Sequence, residues 1–136
     1  MSSQEDVGAR SSPAVIRTER APAPVGPYPH ARRVGELLFL SGIGPRKPGT
    51  GEIPRGIEAQ TRACIENIRV ILEDAGSSLE KVLDVTVYLT DMQRDFDRFN
   101  EVYAEYFGRV QPTRTTVGVD SLPTPIEVEL KIIAAA

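Results

Sequence analysis

Few side chains in this chain could do chemistry, and their scarcity narrows the choice. Among 136 residues there is one cysteine, Cys64, and one histidine, His30. That excludes a disulfide scaffold, because Cys64 has no partner within the chain. It also argues against a metal site, since a four-ligand zinc centre cannot be built from one Cys and one His. Ser41 has only His30 as a base, and no nucleophile-elbow pattern surrounds it. Gly42-Ile-Gly-Pro-Arg-Lys-Pro-Gly49 superficially resembles a phosphate loop, but Pro45 and Pro48 break the spacing and no Lys-Ser/Thr pair follows. Carboxylates, hydroxyls, backbone and arginine remain. Pro112-Thr-Arg-Thr-Thr-Val117 sets Arg114 at the start of a strand, and Glu129 falls on the polar face of the strand expected beside it. Arginine holds carboxylates in a planar fork, and a nearby carboxylate can hold and polarise a water. A structural cross-strand ion pair is the competing reading of the same two residues.

The elements that must position these residues follow from periodicity. Residues 14–19 predict a short first strand. Arg20-Ala-Pro-Ala-Pro-Val-Gly-Pro-Tyr-Pro29 carries four prolines in ten residues. Lacking donor N–H groups, it must be an extended loop, which holds Tyr28 and His30 in place at low entropic cost. Residues 31–42 predict a hairpin turning at Gly35-Glu36, with Leu38 and Leu40 on one face and Leu37, Phe39 and Ser41 on the other. Gly42 through Gly56 is a Gly- and Pro-rich loop. Residues 57–75 predict an amphipathic helix with Ile57, Cys64, Ile68, Ile71, Leu72 and Ala75 on its apolar stripe and Gly76 just past its end. Cys64 on that stripe reads as a buried small hydrophobe.

Residues 81–90 alternate as a strand, with Leu83, Val85, Val87 and Leu89 facing inward. A second helix over about 95–107 presents Phe96, Phe99, Tyr103, Tyr106 and Phe107 to the core, with Asn100 among them, and Gly108 ends it. Strands follow at 114–120 and 126–134. The order β, ββ, α, β, α, β, β predicts an α+β fold, a two-layer mixed β-sheet with two helices on one face. The opposite sheet face is expected to carry Asp84, Thr86, Tyr88, Arg114, Thr116, Glu127, Glu129 and Lys131. That face is either solvated or buried against copies of the chain, with a polar site at the seam.

Length suits one domain over residues 14–136, after a disordered tail over residues 1–13. The tail lacks the apolar stretch of a secretory signal, and Glu5 and Asp6 argue against a transit peptide, so a cytoplasmic protein is expected. Net charge is -3 and the pI about 5.2, which disfavours nucleic acid as a partner. No apolar run approaches the ~20 residues of a membrane span.

Val25-Gly-Pro-Tyr28, Leu40-Ser-Gly42, Pro112-Thr-Arg-Thr-Thr-Val117, Leu122-Pro123 and Ile126-Glu-Val-Glu129 occur in one order across nearly the whole chain. Together they resemble the Rid (YjgF) family of reactive-intermediate deaminases. The resemblance implies a chorismate-mutase-like fold and a homotrimer with sites at subunit interfaces. It also implies hydrolysis of a carboxylate-bearing enamine or imine to a ketone and ammonia, without cofactor. It assigns Arg114 to the substrate carboxylate, Glu129 to the attacking water, and Tyr28, Ser41 and Gly42 to the pocket. Thr116 falls where many members carry Cys, and Asn100 matches an asparagine often found in the second helix.

After Ser41-Gly42 the chain has Ile43 where many members acting on small imino acids have Gln. Pro29-His30 follows the tyrosine, and Thr124-Pro125 follows Leu-Pro. These departures resemble the branch that deaminates 2-aminomuconate in aromatic-ring catabolism, a substrate with two carboxylates. Arg46 or His30 is the candidate for the second. The alternatives are a broad 2-iminopropanoate or 2-iminobutanoate deaminase, and a non-enzymatic trimer that binds small carboxylates or regulates a partner.

Overall fold

Alternating hydrophobicity builds one sheet and two amphipathic segments cover it. A computed structural model describes residues 14–136; the expected tail over residues 1–13 lies outside the described residues. The strands are β1 (Ala14–Ile16), β2 (Ala31–Val34), β3 (Leu37–Leu40), β4 (Val82–Leu89), β5 (Thr113–Gly118) and β6 (Val128–Ala135). The helices are α1 (Ile57–Asp74) and α2 (Met92–Phe107), with a 3-10 turn at Leu79–Lys81. The sheet runs β1-β2-β3-β6-β4-β5. β4 and β5 pair in parallel across the α2 crossover, and β6 lies antiparallel between β3 and β4. This is the expected α+β architecture with both helices on one sheet face.

Local chemistry accounts for the joints. Gly35 takes φ 59 in the two-residue turn that sets Val34 opposite Leu37, a left-handed conformation that favours glycine. α1 ends in a Schellman motif, in which Gly76 donates to the Glu73 carbonyl and Ser77 to the Leu72 carbonyl. α2 starts earlier than periodicity predicts, because Asp91 caps it by accepting the Arg94 N–H.

The core lies between sheet and helices. Val85, Val87, Leu89, Leu130 and Ile132 of the sheet meet Ile65, Ile68, Ile71 and Leu72 of α1 and Phe99 and Phe107 of α2, all buried. Burying each such side chain contributes about 2 kcal/mol. Phe96, Tyr103 and Tyr106 are only partly buried, whereas Val102 is fully so. No helix among the described residues is long and apolar enough to cross a membrane.

Three expectations need correction. Leu83 is 47% exposed, because the β4–β6 register shifts between Val82 and Asp84 and this bulge turns Val82 inward in its place. β5 does not adjoin β6, since β4 runs between them. Arg114 and Thr116 are in register with the buried Val85 and Val87. Paired residues share a face, so both point to the helix side and not to the open face with Glu129.

Candidate active site

Six of the residues singled out from the sequence, Tyr28, His30, Ser41, Gly42, Ile43 and Arg46, line one cleft at the end of the β2–β3 hairpin. Backbone pairing holds its floor. The Ser41 N–H donates to the His30 carbonyl at 3.0 Å, and the Ser41 hydroxyl donates to the Pro29 carbonyl at 2.7 Å. The proline loop folds Tyr28 back on itself. Its hydroxyl accepts from the Val25 N–H at 3.3 Å, and a Cβ on Gly26 would meet its ring at 2.9 Å.

Glu129 borders this cleft from the open face of β6. A Cβ on Gly42 would lie 2.4 Å from its Oε2, so the carboxylate rests directly against the Gly42 backbone. Among the described residues Glu129 has neither an ion pair nor a side-chain hydrogen bond. Its partial burial raises its pKa above the usual 4.5. A desolvated, unpaired carboxylate is suited to taking a proton from water.

The loop after Gly42 is clamped from α1. Ile43 exchanges two backbone hydrogen bonds with Leu130, at 2.9 and 3.0 Å. The Cys64 thiol donates to the Ile43 carbonyl at 2.9 Å, and the Asn67 amide donates to the carbonyls of Gly44 and Arg46, each at 2.9 Å. Burial pushes the Cys64 thiol pKa well up, so it is an inert donor. The Ile43 side chain belongs to the core at 7% exposure. Sequence reasoning missed Asn67; its signal was an amide on the apolar stripe of α1.

Arg46 stands in the cleft with one N–H on the Ala23 carbonyl at 2.7 Å and no acidic partner among the described residues. His30 cannot share its expected role. It is 5% exposed, accepts the Thr18 N–H on Nδ1 at 3.2 Å, and holds the Pro22 carbonyl from Nε2 at 2.8 Å. Both ring nitrogens are spent on backbone, so His30 ties the proline loop.

The other residues gather elsewhere. Arg114 on β5 lies over three aromatic rings of α2, 4.7 Å from Tyr103, 5.6 Å from Phe99 and 5.9 Å from Phe96. It has no acidic partner among the described residues. Asn100, Tyr103, Pro112 and Arg114 line a second, open cleft. Thr116 follows on the same strand face, partly buried. Asn100 makes no side-chain hydrogen bond among the described residues.

Arg114 and Glu129 therefore do not form the cross-strand ion pair that spacing allowed. They lie two strands apart on opposite sheet faces, and Glu129 is level with Val117 through Tyr88. Strand geometry separates their Cα atoms by roughly 14 Å. One chain therefore holds two separate groups of candidate residues, one around Glu129 and one around Arg114.

A six-stranded mixed sheet under two helices, bearing such a divided polar site, defines a class of small α+β proteins. Within it the chain belongs to the Rid/YjgF family: the family model described as Endoribonuclease L-PSP matches residues 18–136. A RutC family protein of Pyrococcus abyssi is 51% identical over 121 residues, 88% of this chain and 94% of the relative. A protein of Escherichia coli K12 named "Putative reactive intermediate deaminase TdcF" is 40% identical over 123 residues, 88% of this chain and 95% of its own length. The solved structure of Escherichia coli TdcF with bound serine superposes with a TM-score of 0.85 at 38% identity, covering 90% of this chain and 98% of that one.

Proposed function

We propose that this protein hydrolyses the enamine or imine of a dicarboxylate, with 2-aminomuconate as the substrate, to the 2-oxo acid and ammonia. The observation that carries this reading is an arginine with no acidic partner among the described residues in each half-site, Arg114 in one and Arg46 in the other, with Glu129, also unpaired among them, beside the second. The half-sites lie on opposite sheet faces of one chain, and in this reading they are brought together between copies. The proposed assembly is a homotrimer with its sites at the seams, and the open sheet face supports it with exposed Leu37 and Phe39.

A substrate held there has its first carboxylate on Arg114 and its second on Arg46. The enamine tautomerises and is protonated on nitrogen, which makes the adjacent carbon electrophilic. Glu129 accepts a proton from water as its oxygen attacks that carbon. Glu129 returns that proton to nitrogen, then accepts the remaining proton of the new hydroxyl as the C=O bond forms, the C–N bond breaks and ammonia leaves. Fixing water and substrate together accounts for several kcal/mol of the barrier. The relative named as a reactive intermediate deaminase supports the reaction class.

The second reading is a deaminase of small 2-imino acids. It is favoured by the serine in the TdcF structure and by the hydrogen bond that already occupies Arg46. An assay separates the two. 2-Aminomuconate generated in situ is followed by its ultraviolet absorbance and ammonia release, beside the imines of pyruvate and 2-oxobutyrate. Preference for the dicarboxylate that falls about tenfold or more in Arg46→Ala establishes the first reading. Turnover of the small imines alone establishes the second. No turnover of either, with carboxylates still bound, leaves a binding protein.

A further inference from the structure

Gly44-Pro45-Arg46 joins the Ile43–Leu130 bridge to the turn after Lys47 and belongs to no strand or helix. Gly44 and Arg46 line the same cleft as Tyr28 and Gly42. Among the described residues, none of these three residues makes a backbone–backbone hydrogen bond, although Ile43 bonds to Leu130 before them and Lys47 to Glu52 after them. The segment is held from α1 instead. Asn67 donates from Nδ2 to the Gly44 carbonyl and to the Arg46 carbonyl, each at 2.9 Å. Asn67 is buried, so its loss would leave two carbonyls without their partner. Gly44 is pressed onto Ile126, whose Cδ1 would lie 2.9 Å from a Cβ there. From this fixed backbone the Arg46 side chain reaches over to the proline loop and donates to the Ala23 carbonyl at 2.7 Å. Its other N–H donors are uncommitted among the described residues. Anchoring both ends of a long side chain removes rotamer freedom before any ligand arrives, which lowers the cost of binding one.

We infer that Asn67 is the positioning residue that aims Arg46 into the cleft, and so sets the preference for a substrate with a second carboxylate. This rests on the reading of Arg46 as the ligand of that carboxylate and names what holds it there. Asn67 is not among the residues that line the cleft, and it acts through the Arg46 backbone. A primary amide suits the task because one nitrogen carries two donors, enough to hold the carbonyls on both sides of Pro45. An unheld Gly44-Pro45-Arg46 would let the guanidinium wander by about an ångström, a displacement that is costly where a charged group must meet a carboxylate in a fixed orientation.

The test is a double-mutant cycle on the full chain. Its readout is kcat/KM for 2-aminomuconate divided by kcat/KM for the imine of 2-oxobutyrate. This ratio cancels any general loss of activity and keeps what the second carboxylate contributes. Asn67→Ala should lower the ratio about fivefold, and Arg46→Ala about tenfold. The double variant should fall about tenfold, as Arg46→Ala alone does, and not by the product of about fiftyfold. Asn67→Ser keeps one donor, should lose less, and carries the same comparison if Asn67→Ala does not fold. Effects that multiply in the double variant overturn the proposal. A ratio unchanged by either Asn67 substitution overturns it as well, and both results leave the Arg46 reading standing. Wild-type protein without preference for the dicarboxylate, or a preference that survives Arg46→Ala, overturns the Arg46 reading and this proposal together, a result distinct from the other two.

Discussion

The carboxylate of Glu129 lies against the Gly42 backbone, with Oε2 2.4 Å from where a Cβ on residue 42 would stand. Glycine at this position is therefore a condition for where Glu129 sits, and its φ lies outside the left-handed range that would favour glycine for other reasons. The Ser41-Gly42 pair, legible in the sequence as a motif, lies at this contact. One residue supplies a hydroxyl held by Pro29, and the other clears space for the acid.

Gly42→Ala should therefore fold and fail to turn over substrate efficiently. Displacing the carboxylate by about an ångström should lower kcat about 100-fold, with the melting temperature changed little. Steady-state kinetics beside a thermal melt checks this. Unchanged kcat would show that Glu129 works from another position.

The pH dependence follows from the direction of the Glu129 shift. Its folded pKa is raised above 4.5 by desolvation, so it stays protonated at pH values where an exposed glutamate is ionised. The rate should fall as pH drops through that raised value, giving kcat/KM an acid limb above 4.5. Glu129→Gln should abolish turnover. The native state binds the extra proton, so this group withdraws stability as pH rises from 4.5 through its folded value. Glu129→Gln should then be at least as stable as wild type at neutral pH. A less stable variant would contradict the assignment of burial as the cause.

Half-sites from different copies predict complementation. Arg114→Ala and Glu129→Gln should each be inactive alone. Unfolded together and refolded, they should regain activity, because random mixing in a cyclic assembly leaves roughly a quarter of the seams with both intact halves. Activity that never returns, with mixed oligomers confirmed by mass spectrometry, would place both residues in one chain's site.

His30 carries a stability prediction instead of a catalytic one. Removing it leaves the Thr18 N–H and the Pro22 carbonyl without their partner. His30→Ala should lose about 3 kcal/mol, read from urea denaturation. It should also raise KM, since the loop it ties carries Tyr28. Full stability in this variant would return His30 to consideration as a substrate ligand.

Most of the architecture was legible in the residues themselves. Period-two alternation marked β4 and β6, the 3.6-residue stripe marked α1, and Gly35 and Gly76 marked a turn and a helix end, because each is a local matter of side-chain direction and backbone freedom. Leu83 was misread because a bulge adds a residue that alternation cannot register. The start of α2 was misread because Asp91 caps the helix before its apolar stripe begins.

The site divides along the same line. Residue type and spacing singled out Arg114 and Glu129, since a chain with one cysteine and one histidine has few other groups able to do chemistry, and the family resemblance added Tyr28 and Ser41-Gly42. Tertiary structure decided which of them meet. Spacing of Arg114 and Glu129 was compatible with a neighbouring-strand pair, but β4 lies between β5 and β6, and the parallel register turns Arg114 toward the helices. Strand order and face depend on how distant segments pack. The same packing spends both nitrogens of His30, sets Arg46 on the Ala23 carbonyl and isolates the Tyr103 hydroxyl, and hydrogen-bond partners far apart in the chain leave no trace in local sequence.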